Sequence, residues 1–148
     1  MARDTRLTVL RVLLAFVATR ALFVGLPAAL LPQSFYDDFP WFASWVSLLP
    51  PYNEHLVTDV GGLQLSFGLV FAWAAYRPSR PLVLPLCVVW TLAEVHHFLF
   101  HVTHLDAFPT TDAIAQTTAL AVNVVVPLVA IRLATTSLPP SRRADSNR

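Results

Sequence analysis

Trp90-Thr91-Leu92-Ala93-Glu94-Val95-His96-His97-Phe98-Leu99-Phe100-His101-Val102-Thr103-His104 sets the architecture of this chain. It continues an apolar run that begins near Leu82, yet it carries four of the five histidines and one of only two glutamates. Glu94, His97, His101 and His104 stand three, four and three residues apart, a spacing that places them on one face of a helix. Inside a hydrophobic helix such a stripe is costly unless it turns away from lipid towards a protein interior. The stretch therefore predicts a membrane helix with a site on its inward face.

Composition agrees with a bilayer as the solvent. Of 148 residues 55% are hydrophobic and 13% charged, where soluble domains hold roughly a quarter charged residues. Mean hydropathy is +0.58. A net charge of +1 argues against nucleic-acid binding, which calls for a basic stripe. The single cysteine, Cys87, lies in an apolar segment and excludes an internal disulfide.

Four segments have the length of a membrane span, about 20 apolar residues. They run from about Val12 to Leu31, His55 to Tyr76, Leu82 to His104, and Ala113 to Ala134. The first follows Arg3, Arg6 and Arg11. A cleaved signal peptide is its rival, but Arg20 interrupts the apolar run and no clean small-residue cleavage site follows. Between the first two spans, Phe35, Tyr36, Phe39, Trp41, Phe42, Trp45 and Tyr52 predict an interfacial segment, with a short helix over Trp41 to Leu49. Asn53 is a candidate N-cap for the second span. Gly61, Gly62 and Gly68 would let a neighbouring helix approach closely. Pro85 is placed in the first turn of the third span, Thr111 or Asp112 caps the fourth, and Pro127 interrupts it. Residues 139–148 are expected to form a disordered cytoplasmic tail after a single domain over 1–138.

Arginines precede the first span, separate the second and third, and follow the fourth. The other two connections carry Asp37, Asp38, Glu54, Asp106 and Asp112 and no arginine. The positive-inside rule then puts both termini in the cytoplasm, and the membrane is expected to be a bacterial-type plasma membrane. The predicted fold is all-α: an integral membrane four-helix bundle.

At about 1.5 Å rise per residue, His55, Asp59, His97 and His101 fall in the outer half of the membrane, with Glu94 near its middle. This predicts an outward-facing polar cavity lined by His55, Asp59, Glu94, His97 and His101. Arg20 is expected to neutralise Glu94 or Asp59, and Gln116 and Asn123 to join the same buried network. His96 and His104 are assigned to interfacial water.

Three chemistries could use such a cavity. His55, His97 and His101 are candidate metal ligands, imidazole with carboxylate suiting a transition metal, and haem is the other cofactor they would suit. A His–carboxylate pair could instead exchange protons with a lipophilic molecule arriving sideways between helices. An ion path could begin at His101, but Leu82 to Val89 is apolar apart from Cys87 and would close it. The alternative to all three is a non-catalytic structural or interaction protein whose polar groups hold the bundle together.

Thr19-Arg20 with Gly25 in the first span, and Asp59-Val60-Gly61-Gly62 in the second, resemble small four-helix bacterial membrane proteins of the DoxX-like kind. The likeness extends over nearly the whole chain through four short-looped spans. It implies a link to quinone-coupled oxidation. No catalytic residue is carried over, because the histidines of the third span match no motif of that family.

Overall fold

The computed structural model describes residues 3–140. The order is α1 (Arg3–Leu30), α2 (Pro32–Asp38), α3 (Glu54–Tyr76), α4 (Arg80–Val102), a single 3-10 turn (Leu105–Ala107) and α5 (Thr110–Ser137). Among the described residues there is no strand. α1, α3, α4 and α5 are each long and apolar enough to cross a membrane. That is the pattern of a multi-pass membrane protein. The tail expected over 139–148 falls, from residue 141 on, outside the described residues.

Helix ends extend past the apolar runs wherever no residue stops them. α1 starts at Arg3 rather than Val12, because Arg3 to Arg11 contains neither glycine nor proline and Asp4 suits the first turn. It ends at Leu30, next to a residue that precedes a proline. α4 starts at Arg80, so Pro81 takes the first turn and Pro85 lies inside the helix. α5 starts directly after Pro109, which leaves Thr111 and Asp112 within the first turn rather than capping it. The α3 cap is as expected: Asn53 Oδ1 accepts a hydrogen bond from the Leu56 amide at 3.1 Å. Asn53→Ala should cost about 1 kcal/mol, with Asn53→Ser close to the parent, read as a fall in melting temperature.

The helix expected over Trp41 to Leu49 is absent. Trp41 and Ser44 have φ of 69° and 51°, left-handed values that a right-handed helix cannot include. The helical turns fall instead on Pro32–Asp38, where Pro32 presets the first turn. There Gln33 donates to Asp37 at 2.8 Å and Ser34 to Asp38 at 3.0 Å. The following chain folds back along α1, so that Phe39 and Trp41 both lie with ring centroids 5.7 Å from Phe23.

α1 is the central element, packing on α3 and on α5, while α4 packs on α5. The α1–α3 seam is built from small residues. Gly25 and Ala28 on α1 are buried beside Gly61 on α3, and Leu22 lies on Gly68. A Cβ on Gly61 would strike the Ala29 amide nitrogen and come within 2.7 Å of the Ala28 carbonyl carbon. On Gly68 it would come within 2.8 Å of the Leu22 side chain. Gly62 is different, since a Cβ there would meet nothing within 4 Å. α5 buries Gln116, Leu120, Asn123, Pro127, Ala130, Ala134 and Ser137, alternately four and three residues apart. That 3.5-residue period is the pattern of helices packed nearly parallel.

α3 and α4 scarcely touch. What joins them is Trp90, whose ring lies 5.2 Å from Phe67 and 5.3 Å from Phe71. The apolar core around Leu10, Leu14, Phe71, Val83, Cys87, Trp90 and Ala134 lies towards the Arg77–Ser79 turn. Beyond Trp90, towards the C-terminal end of α4, the inward face becomes polar.

Candidate functional site: an ion pair beneath two histidines

Trp90, Glu94, His97 and His101 follow one another at spacings of four, three and four, and therefore share a face of α4. Glu94 is buried, 3% exposed, and Arg20 of α1 reaches across to it. Arg20 Nη1 donates to Glu94 Oε1 at 2.7 Å and Nη2 to Oε2 at 3.3 Å, a two-point contact. The guanidinium also lies 5.6 Å from the centre of the Trp90 ring. Of the two carboxylates offered to Arg20 by the sequence, Glu94 is the partner. The levels match: Arg20 lies about 15 Å below the end of α1 and Glu94 about 12 Å below the end of α4.

His97 stands one turn above. Its Nδ1 is 4.0 Å from Glu94 Oε2, and the side chain remains 45% exposed. Its ring centre is 4.8 Å from that of His101. His101 is partly buried beside Gln116 of α5 and Phe108. Neither His101 Nδ1 nor either amide atom of Gln116 makes a hydrogen bond of good geometry, although Gln116 is only 2% exposed. Unpartnered buried groups of this kind are uncommon in a folded protein.

Opposite this face of α4 stands α3, which scarcely touches it except at Trp90 and so leaves an opening above that ring. Gln64 precedes Phe67 by three residues and Phe71 by seven, and a Cβ on Gly25 would lie 3.0 Å from the Gln64 Cβ, so Gln64 stands at the border between the α1 seam and the side of α3 that faces Trp90. Its Oε1 is also buried without a partner. Gln64 belongs among the site residues and sequence reasoning missed it. The spacing to Phe67 and Phe71 was visible, but nothing marked those phenylalanines as the contact with α4.

His55 and Asp59 are not brought to this site. They pair with each other, Nε2 to Oδ2 at 3.3 Å, and are 80% and 57% exposed. α3 turns Gly61 and Gly68 to α1 and Phe67 and Phe71 to Trp90; at about 100° per residue, His55 and Asp59 fall on its remaining, open side. The single cavity lined by His55, Asp59, Glu94, His97 and His101 is thus divided. The expected metal set of His55, His97 and His101 is not assembled. Among the described residues no three His, Cys, Asp or Glu side chains are grouped so as to hold a metal ion.

The expected common network is also smaller. Gln116 and Asn123 are both buried on α5, but among the described residues only the Arg20–Glu94 hydrogen bonds link these polar groups across helices. His104 closes its own helix: its Nδ1 donates to the Phe100 carbonyl at 2.7 Å and the ring stacks on Phe100. His96 is exposed. A separate surface cleft of about 490 Å³ lies outside the spans, lined by Gln33, Asp37, Asp38, Tyr52 and Glu54 among others. Gln33 and Ser34 already satisfy its two aspartates, and nothing connects it to the histidines.

Set against known protein families, characterised proteins and solved structures, the chain matches none.

Proposed function

We propose that this is a four-helix bundle of a bacterial plasma membrane, with both termini cytoplasmic, that binds a lipophilic molecule in the opening between α3 and α4. Orientation rests on charge: the connections at 31–53 and 103–109 hold Asp37, Asp38 and Asp106 and no arginine, while Arg3, Arg6 and Arg11 lie at the start of α1 and Arg77 and Arg80 between α3 and α4. The resemblance to DoxX-like proteins, carried by Arg20, Gly25 and Asp59 to Gly62, is part of the same proposal.

One observation carries the functional reading. His97 is half exposed on a membrane-length helix, while its Nδ1 is turned towards a carboxylate that Arg20 already neutralises. Lipid tails offer an imidazole no hydrogen bond. A molecule with an apolar body and a polar group can enter from the side and meet His97 Nε2, with Trp90 below it. An imidazole in that position can also exchange a proton with the bound group. A metal ion held by three side chains has no place in this reading, because the two histidines of one helix gain no third ligand.

A structural role is the second reading, and the two-point Arg20–Glu94 contact favours it. The two separate in nanodiscs holding a variant with Trp90 as its sole tryptophan. A chain-labelled nitroxide stearyl alcohol should quench Trp90 saturably. His97→Ala should weaken that binding about fivefold, the worth of one hydrogen bond of roughly 1 kcal/mol, with melting temperature unchanged. Quenching that rises without saturation, or that is indifferent to His97→Ala while stability falls, would favour the structural role.

A further inference from the structure

We propose that the opening selects amphiphiles with an uncharged, hydrogen-bonding head group, an alcohol or a carbonyl, over anionic and cationic ones. The inference rests on the binding reading above and names the ligand class for that same site.

Charge sets the preference. Two formal charges border the opening, and they are spent on each other at 2.7 Å and 3.3 Å. Glu94, at 3% exposure, is closed off from an arriving cation. Arg20, at 17%, is held against Glu94 and over Trp90, and so is not free for an anion. What remains around the opening is hydrogen-bonding capacity: the exposed His97 imidazole and, beside it, His101 with the Gln116 amide next to it. These atoms include both donors and acceptors, as a hydroxyl or carbonyl head requires. A charged head would have to descend about 12 Å to the level of Glu94 with no counter-charge waiting, which membrane interiors strongly disfavour.

Glu94 therefore acts as a mask. It cancels an arginine that would otherwise make this an anion site. Glu94→Gln keeps the shape of the side chain but releases the guanidinium, and head-group preference should then invert.

The test uses the full chain in nanodiscs, with Trp90 as sole tryptophan, and three nitroxide-labelled probes of equal chain length: an alkyl alcohol, an alkyl sulfonate and an alkyl trimethylammonium. On the parent, the alcohol should bind at least tenfold tighter than either charged probe. On Glu94→Gln, the sulfonate should gain at least tenfold and become the tightest. Arg20→Gln combined with Glu94→Gln should restore the preference for alcohol. Sulfonate or ammonium binding as tightly as alcohol on the parent would overturn the inference while leaving the binding site standing. So would a folded Glu94→Gln variant that gains no sulfonate affinity. If none of the probes binds saturably, the binding reading itself falls. Should Glu94→Gln not fold, the order of the three probes on the parent still decides.

Discussion

Arg20→Ala is expected to destabilise the protein by about 3–5 kcal/mol, the range found when one member of a buried ion pair is removed. Arg20 supplies both cross-helix hydrogen bonds to Glu94, at 2.7 Å and 3.3 Å, and the carboxylate is 3% exposed. The next polar group, His97 Nδ1, is 4.0 Å away, too far to replace them. The loss comes from stranding the carboxylate rather than from the intrinsic strength of the pair. Hence Arg20→Leu combined with Glu94→Leu should recover most of the stability, since replacing both partners by apolar groups is often neutral. Reversible unfolding of the parent, Arg20→Leu, Glu94→Leu and the double variant in mixed micelles measures the coupling. An Arg20→Ala variant within 1 kcal/mol of the parent would show that Glu94 finds another partner. The pair would then not be what ties α1 to α4.

Gly61→Val should be comparably damaging, at about 3 kcal/mol or more, above the usual 1–3 kcal/mol for overfilling a core. The atoms a new Cβ would strike belong to the backbone of Ala28 and Ala29, which cannot rotate aside as a side chain could. α1 and α3 would have to separate along the seam where Gly25, Gly61 and Gly68 let them approach, and close approach is what holds helices together in lipid. Gly62→Val is the matched control. Its Cβ would meet nothing within 4 Å, and the change should stay within about 0.5 kcal/mol. If the two valine variants melt together, the seam does not run through Gly61.

Much of this was legible in the residues. Four apolar segments at membrane length, the Asn53 cap and the shared face of Glu94, His97 and His101 all follow from local spacing and hydropathy. The ends of α1 and α5 were less legible, because hydropathy marks where a span is apolar, not where its hydrogen bonding stops. Trp41 to Leu49 misled because aromatic content does not reveal the left-handed backbone at Trp41 and Ser44.

Spacing along one chain states which side chains share a face of a helix, and this alone assigned the polar stripe to α4. It does not state which way that face points. α3 shows why: His55, Asp59, Gly62 and Ser66 also share a face, yet that face is the exposed one. Packing against α1 set the rotation of α3 through Gly61 and Gly68. With it came the exposure of His55 and Asp59, the exposure of Gly62 and the inward turn of Gln64. The choice of Glu94 over Asp59 as the partner of Arg20 is of the same kind. It depends on where three helices stand relative to one another, which is a property of their contacts and of no single segment.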